Sequence, residues 1–217
     1  MKKFYPVFLD MEGKKAVVIG GGPVAARKAG ALAKAGAEVT LVSPALDRKA
    51  AELVSGGGIE HTARRYRRGD LAGAFLAVAA TDEPDTNLDV ASEAKSSGIL
   101  VNCVRPPSAG SFIVPSSIRR GGLTVAISTG GGCPALSKRL KKDIDALLGR
   151  EYGPFLAFLE DARAELKARL TDEDGRAEAL TALVESDLID QFRAGRQAEA
   201  AEKGRAALDD LIARLQK

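Results

Sequence analysis

Short apolar runs and longer amphipathic segments alternate along the first half of the chain. The apolar runs contain four to eight residues, as buried strands do, and the segments between them repeat apolar residues at helical spacing. Because strands and helices alternate, the pattern predicts an α/β fold with a parallel sheet covered by helices on both faces. The predicted strands are residues 16–19, 39–42, 59–63, 74–81 and 100–104, and the predicted helices are residues 23–35, 45–54 and a segment beginning near Pro84.

The periodicity changes after residue 110. "SFIVPSSIRRGGLTVAIST" contains two β segments around RRGG with no helix between them, so we expect a hairpin that extends the sheet or builds a dimer contact. An amphipathic helix then runs to Gly149, and residues 151–217 predict helices only, interrupted at "TDEDGR". Two apolar stripes mark these helices: Phe155, Leu159, Ala162, Leu166 and Leu170 in one, and Leu208, Leu211, Ile212 and Leu215 in the other.

Composition limits the possible functions. The 217 residues carry a net charge of +3, which is too weak to indicate a nucleic-acid partner. There is no apolar run of 18 residues that would predict a membrane span. The single histidine, His61, and the two cysteines, Cys103 and Cys133, lack the spacing of a metal site. Since the N-terminal sequence is a poor export signal and both thiols are expected to be free, we expect a cytoplasmic protein without a metal.

The clearest chemical motif is the glycine loop in "KKAVVIGGGPVAARKAG". Gly20, Gly22 and Ala25 fit the pattern G-x-G-x-x-A between a predicted strand and a predicted helix, which is the context of a dinucleotide-binding βαβ unit. In such a loop Gly20 allows the tight turn, Gly22 admits the pyrophosphate, and the amino terminus of the helix faces the anion. The alternative is a tight turn without a ligand.

The end of the second predicted strand leaves the choice between NAD and NADP open. An acidic residue that binds the adenine ribose is expected there, but the sequence has Ser43-Pro44. Asp47 follows and is expected inside the next helix, so no carboxylate secures NAD. Arg48 and Lys49 lie near enough for a 2′-phosphate, although they are also typical of solvated helix charges.

Polar residues also follow two later predicted strands. Thr81-Asp82 and Asn102-Cys103 come at strand ends, which border the ligand crevice of a doubly wound sheet. Thr81-Asp82 fits the start of a helix as well, because Pro84 suits the first helical turn. Both interpretations are compatible with one another.

A second glycine-rich loop lies in "ISTGGGCPALSKRLKK" and runs into a helix. It offers two hydroxyls and a run of glycine amides close to several cations, a combination that suits a polycarboxylate ligand. The alternative is a solvated basic face beside a flexible hinge. The residues concerned are Ser128, Thr129, Gly130 to Gly132, Lys138, Arg139, Lys141, Lys142 and the preceding Arg119-Arg120.

Taken in order, "VVIGGGPVAARKA", "AVAATDEPDTN", "VNCVRPPSAGSFIVPS" and "VAISTGGGCPALSKRL" resemble the precorrin-2 dehydrogenase/sirohydrochlorin ferrochelatase family. The resemblance covers essentially the whole chain and is strongest through Lys142. It implies oxidation of precorrin-2 to sirohydrochlorin with NAD, followed in many members by insertion of ferrous iron. It also implies a homodimer with a Rossmann domain (residues 1–113), a dimerisation region (residues 114–149) and a helical domain (residues 150–217).

The resemblance also assigns sites residue by residue. It places the cofactor against Gly20, Gly21, Gly22, Pro23, Val24, Ser43, Pro44, Ala45, Thr81, Asp82, Asn102, Cys103 and Val104. It places the tetrapyrrole, which is a polycarboxylate, against Ser111, Ser128, Thr129, Gly130 and Lys138. Thr129 stands at the position of a loop hydroxyl that can be phosphorylated in siroheme synthase.

One position departs from the family. An aspartate is implicated there as the general base, whereas this chain has Arg105. Arginine binds carboxylates but is a poor proton acceptor, so we expect Arg105 to contact substrate. The proton would pass to Asp82, to water or to a substrate carboxylate, and His61 is expected on a strand away from the crevice. We therefore expect dehydrogenation to survive better than iron insertion.

Two other functions stand beside this one. A different NAD(P)-dependent oxidoreductase would share the nucleotide-binding domain, and its basic region at residues 119–142 would be remote from the glycine loop. A non-catalytic module that binds a tetrapyrrole or NAD would account for Arg105 in place of the family aspartate.

Overall fold

The computed structural model describes residues 3–216. The chain forms two compact units that divide between Val114 and Pro115. The first unit is built of alternating strands and helices, and the second combines a β-hairpin with helices. Among the residues described, no helix is both long enough and apolar enough to cross a membrane.

The first unit contains a five-stranded sheet in which neighbouring strands are parallel. The strands are β1 (Lys15–Ile19), β2 (Glu38–Val42), β3 (Glu60–Thr62), β4 (Leu76–Ala79) and β5 (Leu100–Cys103). Their order is β3-β2-β1-β4-β5, so the chain winds outward from β1 and then crosses to the other side of β1 to form β4. The carboxyl ends of β1 and β4 therefore flank the switch point at which such sheets bind ligands.

Helices cover both faces of this sheet. They are α1 (Pro23–Ala33), α2 (Arg48–Ser55) and α3 (Pro84–Ser96). Along β1 the side chains alternate: Val18 packs in the apolar layer that contains Ala29 of α1, and Val17 packs in the layer that contains Val90 of α3. This alternation is what burial of a strand on both faces requires. The predicted parallel sheet covered on two faces is confirmed.

The second unit begins with an antiparallel hairpin of β6 (Ser116–Arg120) and β7 (Leu123–Ile127), which form a sheet of their own. Of the two roles expected for this hairpin, extension of the parallel sheet is wrong. The physical reason lies at the outer edge of β5, where Ser111 donates its N–H to the Val101 carbonyl oxygen (2.8 Å). Ser111 Oγ also accepts the Val101 N–H (2.9 Å), so the Val101 backbone groups with which a sixth strand would pair are already satisfied.

Five helices follow the hairpin in the part of the chain that is described. They are α4 (Pro134–Leu147), α5 (Tyr152–Arg169), α6 (Glu173–Val184), α7 (Leu188–Arg193) and α8 (Gln197–Leu215). Helices α5 to α8 enclose one apolar core that includes Phe155, Leu166 and Leu208. The interruption expected over "TDEDGR" is shorter than predicted, because Asp172 Oδ2 accepts the Gly175 N–H (2.7 Å) and caps α6, which leaves residues 173–176 helical.

Candidate functional site

A cavity of about 650 Å³ lies in the first unit, at the carboxyl edge of the parallel sheet. Its size falls in the ordinary range of small-molecule sites. The segments that follow β1, β2, β4 and β5 line it, together with part of the loop after β3. The cavity brings together most of the predicted cofactor positions and Arg105, which replaces the family aspartate. The predicted cofactor positions that line it are residues 20–24 and 43–45, Thr81, Asp82 and Val104.

The three glycines that follow β1 have different structural roles. Gly20 has φ = +127°, and a β-carbon there would lie 2.8 Å from the Ala80 carbonyl carbon. A β-carbon on Gly21 would overlap the Ala45 carbonyl oxygen. A β-carbon on Gly22 would meet nothing within 4 Å. The first two glycines let the loop pack against neighbouring strand ends, and Gly22 leaves open space beside the cavity.

This open space fits a dinucleotide pyrophosphate. Gly22 is the N-cap of α1 and contributes no side chain, and Pro23 occupies the first helical turn. The amino terminus of a helix attracts anions because its first amides have no partner within the helix. The backbone of Gly22 is therefore accessible at the end of α1 that carries the positive partial charge.

A carboxylate lies near the end of β2, although Ser43 occupies the expected position. The prediction that Asp47 lies inside α2 is wrong: it is the N-cap, and its Oδ1 accepts the Ala50 N–H (2.7 Å). Asp47 also donates its own N–H to the Gly21 carbonyl oxygen (2.8 Å) and lines the cavity. An aspartate followed by "RKAAEL" is a recognisable N-cap signal, which the sequence reasoning passed over.

Ser43 and His61 stabilise the turn after β2. Ser43 Oγ donates to the Ala45 carbonyl oxygen (2.6 Å), which fixes the Ser43-Pro44-Ala45 turn. His61 lies on β3, as expected, and is half-buried. Its Nε2 donates to the Ser43 carbonyl oxygen (2.9 Å), since a carbonyl can only accept. The imidazole is therefore engaged with the backbone beneath the cavity wall.

The strand-end segments after β4 and β5 share one buried amide that the sequence reasoning missed. Asn87 of α3 accepts from the Thr81 N–H (3.0 Å) and donates to the carbonyl oxygens of Thr81 (3.0 Å) and Arg105 (3.0 Å). It stands in the quoted motif "AATDEPDTN", but an asparagine within a helix carries no sequence signal that it is buried. The Arg105–Pro106 peptide bond that follows is cis.

The loop after β3 adds two cavity residues that the sequence did not indicate, Arg65 and Tyr66. Arg65 Nη1 forms an ion pair with Glu83 Oε1 (2.8 Å), and both residues line the cavity. Tyr66 donates its hydroxyl to Glu93, and burial together with this carboxylate raises the pKa of Tyr66. Glu93 also accepts the Gly69 N–H (3.0 Å), so this buried acid holds the loop against α3.

Three predicted site residues bond within the protein scaffold and are absent from the described lining of the cavity. Asn102 Nδ2 donates to the Phe112 carbonyl oxygen (3.1 Å). Cys103 is buried in the apolar layer beneath α3, and this burial raises the pKa of its thiol. Ser111 Oγ pairs with the Val101 backbone, as described above. These side chains fix the β5 end, and Val104 is the residue of that strand end that lines the cavity.

The second glycine loop lies in the second unit and is closed by its own hydrogen bonds. Thr129 Oγ1 accepts the Cys133 N–H (3.1 Å) and lies 3.1 Å from Ser137 Oγ. The Gly130 N–H donates to Ser128 Oγ (3.0 Å), and the Gly132 N–H donates to the Thr129 carbonyl oxygen (3.0 Å). Two of the amides expected to be open to a ligand are thus engaged within the loop.

The cations around this loop fall into two groups. Lys138 is exposed on α4, and Arg119 is exposed on β6. Arg120 is structural, because its Nε donates to the Leu148 carbonyl oxygen (2.9 Å) and its Nη2 pairs with Asp145 (2.9 Å). Exposed cations remain on this unit as partners for an anionic ligand, whereas Arg120 ties β6 to the end of α4.

A parallel sheet that winds outward from β1, with a glycine loop and a helix amino terminus at its switch point, defines a Rossmann-type dinucleotide-binding protein. Comparison with known proteins agrees with this class. Residues 7–116 match the family described as putative NAD(P)-binding, and residues 120–147 match the central part of the sirohaem biosynthesis protein. The first unit is a domain for a nicotinamide dinucleotide.

Within the class of dinucleotide-binding proteins, the chain is similar to siroheme synthases. The siroheme synthase of Thioalkalivibrio sulfidiphilus is 38% identical over 206 residues, which are 95% of this chain and 42% of that protein. Siroheme synthase 1 of Aeromonas salmonicida is 40% identical over 188 residues, which are 87% of this chain and 40% of that protein. The chain therefore spans about two fifths of the length of these curated relatives.

A solved structure matches both units. SirC, a precorrin-2 dehydrogenase, aligns with a TM-score of 0.73 and 30% sequence identity, and the alignment covers 94% of this chain and 100% of SirC. The chain belongs to the precorrin-2 dehydrogenase/sirohydrochlorin ferrochelatase family.

Proposed function

We propose that this chain oxidises precorrin-2 to sirohydrochlorin with NAD as the hydride acceptor. The observation that carries the proposal is the match to a precorrin-2 dehydrogenase over the whole of that enzyme, including the second unit. In the balanced reaction, precorrin-2 and NAD⁺ give sirohydrochlorin, NADH and one proton. The substrate loses a hydride to the cofactor and a proton to an acceptor.

The cavity supports a binding mode for the dinucleotide. Gly22 and the amino terminus of α1 would hold the pyrophosphate, since the space beside Gly22 is open. The Ser43 turn would hold the adenosine half, and Thr81 and Val104 would border the nicotinamide half. A bound nicotinamide supplies the hydride acceptor, and the protein positions it.

Asp47 supports NAD over NADP. Its Oδ1 is used to cap α2, and its second oxygen is available to accept from a ribose hydroxyl in the cavity. A 2′-phosphate at the same place would be repelled by this carboxylate. Arg48 forms an ion pair with Glu52 (3.1 Å) and, like Lys49, is outside the described lining of the cavity. The ratio of kcat/KM for NAD and NADP tests this preference.

The chemistry of Arg105 suits binding of a substrate carboxylate better than acceptance of a proton. Its side chain is exposed at the cavity, and a guanidinium forms paired hydrogen bonds with carboxylates but does not accept protons. We assign it to a carboxylate of the tetrapyrrole and assign the proton to Asp82, a carboxylate in the same cavity. Iron insertion is correspondingly weak, because the family base is missing.

The second unit would supply further substrate contacts and a dimer contact. The proposed contacts to substrate carboxylates are Lys138 and the hydroxyls of Ser128 and Thr129, with Gly130 beside them. Leu136, Leu140 and Leu147 of α4 are 49%, 38% and 75% exposed. These leucines lie on the segment that the family uses for dimerisation, which supports a homodimer, and sedimentation of Leu140→Lys against wild type tests it.

The two cysteines support a reducing compartment, the cytoplasm. Both Cys103 and Cys133 are free thiols, the first buried and the second exposed. Exposed free thiols persist where the thiol pool is kept reduced. Localisation of a fluorescently tagged chain tests this assignment.

A second candidate function is a binding module without turnover, and Arg105 is the observation that favours it. An anaerobic assay with purified protein, precorrin-2 and NAD distinguishes the two candidates. The enzyme produces NADH together with the absorption spectrum of sirohydrochlorin. A binding module shows tight tetrapyrrole or NAD binding by calorimetry and no NADH.

A further inference from the structure

Asn87 is a completely buried side chain with all of its hydrogen-bonding groups in use. Its Oδ1 accepts from the N–H (3.0 Å) and the hydroxyl (2.9 Å) of Thr81. Its Nδ2 donates to the carbonyl oxygens of Thr81 (3.0 Å) and Arg105 (3.0 Å). Because a backbone N–H only donates and a carbonyl only accepts, these partners fix the orientation of the amide.

The two partners belong to different strand ends of the cavity. Thr81 follows β4 and Arg105 follows β5, and both residues line the cavity. Asn87 stands behind them on α3 and is not among the residues described as lining it. The side chain of Asn87 thus joins the ends of two neighbouring strands at the cavity. Its more distant partner in sequence, Arg105, lies 18 residues away.

The Arg105 backbone is held by bonds at this residue and at the one before it. Its carbonyl oxygen accepts from Asn87 Nδ2 (3.0 Å), and the preceding Val104 donates its N–H to the Ala79 carbonyl oxygen (2.9 Å). The position from which the guanidinium enters the cavity is therefore fixed by the main chain. Burial of an amide costs free energy unless each of its polar groups is paired. An apolar side chain of similar volume would fill the same space without that cost, but it would not link the two segments.

We propose that Asn87 is a positioning residue: it orients Thr81 toward the dinucleotide and sets the origin of the Arg105 side chain for the tetrapyrrole. The tetrapyrrole half of this inference rests on the proposed function. The dinucleotide half requires only that the first unit binds a nicotinamide dinucleotide.

Asn87→Asp is the most informative substitution because it keeps the shape and the two accepting contacts to Thr81. A carboxylate has no N–H, so the carbonyl oxygens of Thr81 and Arg105 lose their donor. We expect the NADH dissociation constant and the KM for precorrin-2 each to rise at least about tenfold. Asn87→Ala removes all four hydrogen bonds and serves as the second variant if the buried carboxylate prevents folding.

Val90→Ala is the matched control on the same helix. Val90 is fully buried in the apolar layer and has no polar group to position either segment. The Val90→Ala substitution lowers the melting temperature because packing is lost. We expect it to change the NADH dissociation constant and the KM for precorrin-2 by less than about twofold. All variants are compared well below their melting temperatures, which circular dichroism gives.

Unchanged NADH binding in a folded Asn87 variant overturns the proposal, as does an equal loss in Val90→Ala. A rise in the NADH dissociation constant without a rise in KM overturns the Arg105 half. If wild-type protein binds NADH but does not oxidise precorrin-2, the proposed function fails and the NADH comparison still decides the role of Asn87. Wild-type protein that binds no NADH overturns both.

Discussion

The backbone of Gly21 packs against the Ala45 carbonyl oxygen so closely that a β-carbon at position 21 would overlap it. The same β-carbon would lie 2.6 Å from Ser43 Oγ. The Gly21 carbonyl oxygen is itself held by the Asp47 N–H (2.8 Å), which limits movement of the loop away from the β2 end. The glycine loop and the turn after β2 are thereby fixed to one another before any ligand binds.

Gly21→Ala is expected to destabilise the unliganded protein by about 1–3 kcal/mol, because the backbone on either side of the new methyl group is held in place. Urea unfolding without nucleotide measures this loss. Stability equal to that of wild type would contradict the close packing of Gly21 and Ala45.

Gly22→Ala separates packing from ligand binding. Nothing lies within 4 Å of a β-carbon at this position, so we expect the unfolding free energy to fall by no more than about 1 kcal/mol, the cost of alanine as a poorer N-cap of α1. The added methyl group would obstruct the pyrophosphate, and the NADH dissociation constant should rise at least about tenfold. Gly58→Ala, which also has open space around it, is the control and should leave both quantities unchanged.

Sequence patterns predicted the strands and the glycine loop because local features determine them. The apolar run that becomes β1 and the glycines that follow it are contiguous, and their period and spacing are visible without the fold. The hairpin was different: whether it joins the parallel sheet depends on Ser111, which occupies the outer edge of β5. Contacts of that kind form only when the chain has folded.

The site shows the same division. Residues 20–24 were predictable from the loop that contains them. Asn87 was not, because its importance comes from bonds to Thr81 and Arg105 in three dimensions. Asn102 and Cys103 end a strand, but Asn102 donates to the Phe112 carbonyl oxygen and Cys103 is buried in the apolar layer beneath α3, whereas Val104 lines the cavity.

Asp82→Asn tests the proposed proton acceptor. The amide keeps the size of the side chain but takes no proton, so kcat for precorrin-2 oxidation should fall at least about tenfold. NADH binding should stay within about threefold of wild type. Asp85→Asn is the matched control, since Asp85 is exposed on the first turn of α3 and lies outside the described cavity lining. An unchanged kcat in Asp82→Asn would contradict the role of Asp82 and would mean that water or a substrate carboxylate accepts the proton.

Arg105→Asp tests why iron insertion is expected to be weak. It restores a carboxylate at the family position, and the rate of siroheme formation from sirohydrochlorin and ferrous iron should rise at least about tenfold. Formation of siroheme is followed by its absorption spectrum under anaerobic conditions. No gain would mean that this position does not limit the insertion of iron.

Arg105→Ala is the companion variant, because it removes the guanidinium without adding a base. It should show no gain in iron insertion. Its KM for precorrin-2 should rise about tenfold with a smaller change in kcat, since the lost contact is to a remote substrate carboxylate. A KM equal to that of wild type would remove Arg105 from the substrate site.

Lys28 of α1 provides a pH test of stability. Burial, with a smaller contribution from the charge of Arg27, lowers the pKa of Lys28 to about 8 from its usual 10.5. The unfolded chain therefore binds more protons than the folded protein between about pH 8 and 10.5, and this residue makes stability rise with pH across that window. Its destabilising effect is complete below pH 8.

Lys28→Met should therefore increase stability at pH 7 by about 0.5–1 kcal/mol, a value discounted for partial solvent access. The advantage should disappear as the pH approaches 10.5. Chemical denaturation at both pH values measures it. Lys49→Met on the exposed side of α2 is the control and should show no such trend; an equal trend in both variants would contradict the role given to burial of Lys28.

The most direct measurement of the central claim is the stoichiometry of the coupled reaction. Purified protein is mixed anaerobically with precorrin-2 and NAD, and NADH and sirohydrochlorin are quantified in the same sample. The proposed function predicts one NADH for each sirohydrochlorin. In Gly22→Ala the amounts of both products should fall by the same factor. Sirohydrochlorin without NADH, or neither product from protein that binds both ligands, would contradict it.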